Sequence, residues 1–165
     1  MEEQCMSIRD QVARLDAGVE ALAGSVATLT QDAFVAICGR WSPRDMLAHL
    51  AGWNRHIIKG SGQIRKGELP FYDIDPGENY SNVNAVIVRE YSSTEKPELL
   101  AELRASAREL GQHLLALDPE AWDRDYGVRH RGATITVRNT VDELIEDYAH
   151  HTAQIEEWEV RDPGR

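Results

Sequence analysis

Cysteine is scarce in this sequence, and its two thiols, Cys5 and Cys38, form no recognisable pattern. They lack the CxxC spacing of a redox or metal site and are too few for a disulfide framework. Long apolar runs are also missing, because charged residues interrupt them, so the sequence predicts no membrane-spanning helix. The acidic N-terminus has neither the basic start nor the apolar stretch of a secretory signal. We therefore expect a protein of the reducing cytoplasm.

Basic residues are in short supply. The 165 residues include 18 Lys and Arg against 28 Asp and Glu, which gives a formal net charge of −10. Such a domain repels phosphate backbones and anionic lipid, so we expect no nucleic-acid partner and no membrane partner. The expected partners are a small-molecule substrate and a second copy of the chain.

What is present is an ordinary globular composition, with 42% hydrophobic and 28% charged residues. The length fits one domain over residues 1–165. Helix-start signals, each followed by apolar residues at three- and four-residue spacing, predict four long helices. The starts are at Ser7, Ser42, Pro97 and Thr140, the last forming a capping box with Glu143.

Two smaller elements are predicted between the long helices. Apolar residues from Tyr80 to Tyr91 repeat at helical spacing and predict a short extra helix between the second and third long helices. The segment from Asp125 to Val137 contains two glycines and some alternation, which fits a small hairpin. Together these elements predict an all-α fold, a four-helix bundle.

Two adjacent histidines on the last helix fall on opposite faces when the helix is projected at 100° per residue. His151 lies among the apolar residues, whereas His150 lies on the solvated side with Glu146. Asp147 is at the border of the apolar face, four residues before His151, so the two side chains can converge one turn apart.

On the second long helix, His49 lies at the edge of the apolar face. An Asp and a His four residues apart, met by a His from another helix, have the chemistry of a divalent metal site, for zinc, nickel or iron. The alternative is structural: a buried His hydrogen-bonded to Asp147 that holds two helices together. His113 and His130 are interpreted as ordinary surface residues.

A pocket beside this trio is predicted from nearby side chains, namely Trp53, His56 and Tyr148. The four tryptophans either form walls of a pocket or pack the core. Tyr72, Tyr80 and Tyr91 either supply a proton donor near the mouth or pack the connection that follows the second long helix.

The stretch from Trp41 to Trp53 and the stretch from Asp147 to Ile155 resemble the DinB-like superfamily. That resemblance implies an up-up-down-down bundle in which three side chains commonly bind a divalent metal. Here His49 matches the first ligand and His151 the last. Asp147 stands where the middle His usually stands, a departure that is also found in the mycothiol-dependent maleylpyruvate isomerases.

One branch is similar in more places. The stretch from Trp41 to Trp53, the segment 82–91 and the spacing of His151, Ile155 and Trp158 resemble the ClbS/DfsB group. That likeness implies a metal-free protective protein, in which His49 and Trp53 would line a substrate pocket instead of holding an ion.

Three functions follow from these observations. The first is a metal-dependent transferase or hydrolase that acts on a small electrophile, with a low-molecular-weight thiol as co-substrate, the thiol resting on the resemblance alone. The second is a metal-free protective or small-molecule-binding protein. The third is a non-catalytic bundle that forms a homodimer through apolar surface on the first helix.

Overall fold

The computed structural model of the chain describes residues 5–161 and shows an all-α bundle with a small hairpin. Two short 3-10 turns cover Phe71–Asp73 and Glu78–Tyr80. The predicted four long helices, the short helix and the hairpin are all confirmed. The elements are α1 (Ile8–Ala27), α2 (Gln31–Val35), α3 (Pro43–Ile64), α4 (Ser81–Glu90), α5 (Lys96–Leu115), α6 (Pro119–Asp123), β1 (Arg129–His130), β2 (Ala133–Thr134) and α7 (Val137–Arg161).

Two of the predicted helix starts are capping boxes. At α1 the side chain of Ser7 accepts from the backbone of Asp10, whose carboxylate accepts from the Ser7 backbone in return. At α3, Ser42 and Asp45 make the same exchange, and Pro43 occupies the first helical position, where its missing N–H costs nothing.

The predicted start of the last helix is wrong, because α7 begins one turn earlier. Thr136 Oγ1 accepts from the backbone of Asn139 at 3.0 Å, and Asn139 Oδ1 accepts from the backbone of Thr136 at 2.9 Å. This reciprocal exchange satisfies the orphan donors of the first turn. Thr140 already lies inside the helix, where its hydroxyl donates to the carbonyl of Thr136.

Helix α1 runs parallel to α7. Gln11, near the start of α1, donates to Asp142 Oδ1 at 3.0 Å near the start of α7. One to two turns further along both helices, a Cβ added at Gly18 would lie 3.3 Å from the Cβ of Tyr148. Later residues of one helix therefore meet later residues of the other.

Helices α3 and α5 are also parallel neighbours. The side-chain amide of Asn54 donates to Ser106 Oγ at 3.0 Å, and Ser61 Oγ meets the ring of His113 at 2.9 Å two turns further along. Since the later residue of α3 meets the later residue of α5, the two helices point in the same direction.

Helix α1 runs antiparallel to α5, because Val12 packs near Gly111 while Glu20 binds Arg104 at 3.0 Å. The helix directions are therefore up, down, down and up for α1, α3, α5 and α7. The expected up-up-down-down order is wrong: parallel neighbours are first with fourth and second with third. Such a bundle needs one long crossover, and residues 65–95 supply it between α3 and α5.

The core is formed by the apolar faces of the long helices, and the apolar positions predicted on α1 are buried. No large apolar side chain of α1 is among the exposed ones in residues 5–161, so the surface on which a homodimer was predicted is missing, and the homodimer stays a prediction. Within the same range no helix is both long and apolar enough to span a bilayer. The exposed large apolar residues are Val35, Ile37, Ile74, Val86 and Leu115.

Candidate metal centre

The structure brings His49, Asp147 and His151 together where α3 and α7 face each other in opposite directions. His49 Nε2 lies 2.7 Å from Asp147 Oδ2, and His151 Nε2 lies 3.4 Å from Asp147 Oδ1. One nitrogen or oxygen from each residue falls within 4.8 Å of the other two. Both imidazoles are buried, and the carboxylate is 37% exposed and lines a cavity.

The tautomer of His49 is set by its hydrogen bond with Asn84 on α4. Trp53 Nε1 can only donate, and it lies 2.7 Å from Asn84 Oδ1, which fixes that atom as the carbonyl oxygen. His49 Nδ1 lies 2.9 Å from the same oxygen and must therefore carry a proton. In neutral His49 the lone pair is then on Nε2 and points at Asp147.

His151 is arranged in the same way. Its Nδ1 donates to Gln154 Oε1 at 2.8 Å, which leaves the lone pair on Nε2, the atom nearer Asp147. Two imidazole lone pairs and a carboxylate therefore converge with no donor among them when both rings are neutral. This arrangement needs positive charge at its centre, which either extra protons or a metal ion can supply.

The ionisation of these groups suits a cation. Burial alone would raise the pKa of Asp147, but a proton on His49 Nε2 that is donated to Oδ2, together with the positive charge of protonated imidazoles nearby, holds it below the ordinary value. A metal ion bound by His49 would take the place of that proton. Burial lowers the pKa of His151, and the nearby Asp147 carboxylate offsets this only in part. A charged carboxylate beside a neutral imidazole is the state in which both bind metals.

The donor set fits zinc or another first-row divalent ion. Ligands at about 2.1 Å from a tetrahedral zinc are about 3.4 Å apart, the distance already found between His151 Nε2 and Asp147 Oδ1. His49 Nε2 lies nearer to the other carboxylate oxygen, 2.7 Å from Asp147 Oδ2, and these three side chains are the residues that would hold an ion.

A cavity of about 910 Å³ opens beside the trio. Trp41 packs against both imidazoles, with ring centroids 4.7 Å from His49 and 5.8 Å from His151. The remaining walls include the predicted Trp53 and charged groups from the hairpin and α7. The aromatic and charged lining residues are Trp41, Trp53, Tyr72, Tyr80, Arg40, Arg131, Glu78, Glu143 and Glu146.

Two predicted pocket residues do not line this cavity. His56 is half-buried behind the wall, with its ring 5.8 Å from Trp53 and 4.9 Å from Phe71. Tyr148 is fully buried in the core, where its hydroxyl donates to Asn54 Oδ1 at 2.9 Å. Helical projection placed both on the correct side of their helices but could not tell the cavity wall from the packed layer behind it.

Of the remaining histidines, one is as exposed as predicted and two are not. His150 is exposed at the cavity rim, in agreement with its predicted solvated position. The surface positions expected for His113 and His130 are wrong, because both rings are half-buried. His113 is hydrogen-bonded to Ser61, and His130 lies 3.8 Å from a carboxylate oxygen of the buried Asp73.

Sequence reasoning missed Asn84 and Gln154, the two amides that orient the imidazoles. Gln154 follows His151 by one turn, a spacing visible in the sequence. Asn84 had no comparable signal, because its contact with His49 depends on the path of the crossover. Tyr72 and Tyr80, for which packing and a role at the mouth were both open, do line the cavity.

These observations define a class of protein. It is a helical bundle with an imidazole-carboxylate-imidazole trio between its second and fourth long helices. The chain belongs to the DinB superfamily, whose family model matches residues 14–155. This confirms the resemblance seen in the sequence. The comparison with curated proteins gave no match.

Three solved structures share the fold. The colibactin self-resistance protein ClbS in complex with a dsDNA has a TM-score of 0.73 at 16% identity, over 93% of this chain and 95% of that one. The sibling lethal factor precursor DfsB has a TM-score of 0.79 at 12% identity, over 98% of this chain and 100% of that one. The mycothiol-dependent maleylpyruvate isomerase has a TM-score of 0.72 at 14% identity, over 91% of this chain and 61% of that one.

Proposed function

We propose that this protein is a divalent-metal-dependent enzyme that transfers a low-molecular-weight thiol or water to a small electrophile. The observation that carries the proposal is the convergence of two imidazole lone pairs on one carboxylate, each lone pair set by a hydrogen bond behind the ring.

Each residue of the site has a distinct task in this proposal. His49, Asp147 and His151 would hold the ion, and Asn84 and Gln154 (each bonded to one of the imidazoles) keep the imidazoles in the ligating tautomer. A divalent ion supplies Lewis acidity, which lowers the pKa of a water or thiol so that it attacks at neutral pH. The burial of both imidazoles keeps bulk water from competing for them.

The thiol is supported by the comparison with a mycothiol-dependent isomerase of the same fold. The cavity is large enough for a thiol and an electrophile side by side, since about 910 Å³ lies within the range of sites for drug-sized ligands. Arg40 and Arg131 at its rim could each bind a carboxylate of such a co-substrate.

Elemental analysis of untagged protein tests the metal. We expect near-stoichiometric zinc, nickel or iron after chelation and reconstitution, and loss of that metal in His49→Ala and His151→Ala. His150→Ala is the matched control, because His150 is next to His151, lies at the same rim and is outside the trio. Equal metal retention in all three variants, or none in the reconstituted wild type, would contradict the proposal.

A second function is favoured by the 2.7 Å contact between His49 and Asp147. Without a metal, a proton on His49 Nε2 that is donated to Asp147 Oδ2 leaves Oδ1 of the charged carboxylate as the general base for water, and the fold is shared with the self-resistance protein ClbS. This metal-free protective function predicts that chelated protein still destroys or sequesters its electrophile. Loss of that protection on chelation, with recovery on adding back metal, excludes it.

A further inference from the structure

A hairpin turn carries Arg131 to the cavity beside the trio. Strands β1 and β2 pair His130 with Ala133, so the loop between them consists of Arg131 and Gly132. Both loop residues have a positive φ, 52° and 80°, which is the pattern of a type I′ turn. The side chain of Arg131 is exposed and lines the cavity.

An arginine is an unfavourable residue for this turn. Asn and Gly are preferred where φ is positive, because longer side chains crowd the backbone there. Residues held in such conformations persist where the surrounding structure fixes them, and they cluster at sites that bind ligands. The position of Arg131 therefore favours a role for its side chain in binding.

The hairpin is anchored on both sides of the turn. Before the turn, Arg129 binds Asp125 at 2.8 Å. After the turn, Asn139 Nδ2 donates to the backbone carbonyl of Thr134 at 2.8 Å. These contacts hold the backbone of Arg131 at the cavity, so a ligand would meet a guanidinium whose base is already in place.

The guanidinium of Arg131 is unpaired. In residues 5–161 it forms neither an ion pair nor a hydrogen bond, although Glu78, Glu143 and Glu146 line the same cavity. The charged groups that act on the pKa of Glu143 are Asp73, Glu146 and His130, so Arg131 is not its counter-ion. Arg131 is therefore available to bind an anionic group of a ligand.

An aromatic wall leads from Arg131 towards the trio. Burial and Asp73 raise the pKa of Tyr80, and the positive charge of Arg131 opposes this rise, so the guanidinium lies near Tyr80. The Tyr80 ring is 5.3 Å from that of Trp53, which in turn is 6.3 Å from the imidazole of His49. A flat molecule could lie along these rings with an anionic group at Arg131.

A carboxylate is the anionic group that fits best. Its two oxygens match the planar fork of a guanidinium in a bidentate pair. It also carries one negative charge, whereas a phosphate monoester carries up to two and would be repelled more strongly by the three glutamates of the cavity.

We propose that Arg131 is a specificity-determining residue that binds the carboxylate of a flat small molecule whose other end faces the trio. The proposal deepens the proposed function, on which it rests for the idea of a small-molecule substrate. It assigns one arginine and one ligand group to the end of the cavity beside the hairpin. Binding through Arg131 itself needs no metal.

Two probes of the same shape test this. At neutral pH 2-naphthoate is charged and 2-naphthamide is not, so the difference in their affinities measures the effect of the carboxylate. Both are titrated calorimetrically into chelated protein, in which the carboxylate has no ion to bind. We expect wild type to prefer 2-naphthoate about tenfold at low salt and less at high salt, because salt screens an exposed charge pair.

Arg131→Asn should abolish this preference and leave the affinity for 2-naphthamide unchanged, because it removes the guanidinium and keeps a residue suited to the turn. The same variant should raise the thermal unfolding midpoint by about 2 °C, since Asn tolerates a positive φ. Arg129→Gln is the matched control. It removes the same charge from the same hairpin, but Arg129 is paired with Asp125 and does not line the cavity, so the preference should remain.

The proposal is wrong if wild type shows no preference for 2-naphthoate, including no binding of either probe, or if Arg131→Asn keeps the preference. Equal loss in Arg129→Gln would also overturn it, because the net charge would then account for the effect. Elemental analysis decides the metal separately, so this comparison can fail or succeed independently of the proposed catalysis.

Discussion

Two uncharged amides decide what the imidazoles at this site can bind. Asn84 Oδ1 accepts hydrogen bonds from both Trp53 Nε1 and His49 Nδ1, which occupies both of its lone pairs. With Nδ1 engaged in this way, neutral His49 presents the lone pair of Nε2 to Asp147. Metal-binding histidines almost always have such an outer layer of hydrogen-bond partners.

Replacing Asn84 tests whether this layer matters for binding. Asn84→Leu keeps the volume but removes the acceptor, so His49 loses the bond that holds its tautomer and orientation. We expect zinc affinity to fall about 10- to 100-fold, measured by competition with a chelating dye. Asn84→Asp keeps an acceptor and should retain most of the affinity. Equal weakening in both variants would indicate a packing role instead.

Two members of the trio could be predicted from spacing because their geometry is local, whereas His49 on α3 was predicted from its place at the edge of an apolar face and from the DinB-like resemblance. Asp147 and His151 are four residues apart on one helix, which places them on the same face whatever the rest of the chain does. Asn84 and Tyr72 could not be predicted in this way. Their places depend on how the crossover folds back over α3, and no spacing in the sequence encodes that path.

At the scale of the helices, the start of α7 shows how one residue type can mislead. Thr140 and Glu143 match the sequence pattern of a capping box, but Thr136 and Asn139 are the pair that caps the helix. The hairpin ends just before it, after a turn in which Arg131 and Gly132 both have positive φ.

This difference gives a prediction for the stability of α7. Thr136→Ala should lower the free energy of unfolding by about 1 kcal/mol, because it removes the cap. Thr140→Ala should change it by less, since its hydroxyl donates to a carbonyl inside the helix. Urea unfolding followed by circular dichroism measures both, and a larger loss in Thr140→Ala would mean that the cap has been misplaced.

At the scale of the whole molecule, the sequence predicted the four long helices and α4, but it predicted neither the short α2 and α6 nor the directions of the long helices. Apolar spacing along each helix is set locally, whereas the choice of neighbours depends on close contacts such as Gly18 with Tyr148 and Gly111 with Val12. These contacts place α1 parallel to α7, which no pattern within either helix shows.

The net charge of −10 leads to a prediction about nucleic acid. The fold occurs in a complex with dsDNA in ClbS, but a strongly acidic surface disfavours a phosphate backbone. We expect no binding of a short duplex DNA by this chain at physiological salt, measured by fluorescence anisotropy with ClbS as the positive control. Binding that weakens steeply with added salt would show that a local basic surface overrides the net charge.

The parallel pairing of α3 and α5 also has a consequence for how this fold diversifies. The chain must return along a helix of 22 residues, about 33 Å, before α5 can begin. Residues 65–95 make that return, and they carry Tyr72 and Tyr80 to the cavity, while the trio belongs to α3 and α7. Substitutions of Tyr72 or Tyr80 in the returning segment can change which molecule fits without altering the trio proposed to hold the ion. Apart from Asn84, which supports His49, the returning segment therefore bears on the shape of the cavity and not on the trio.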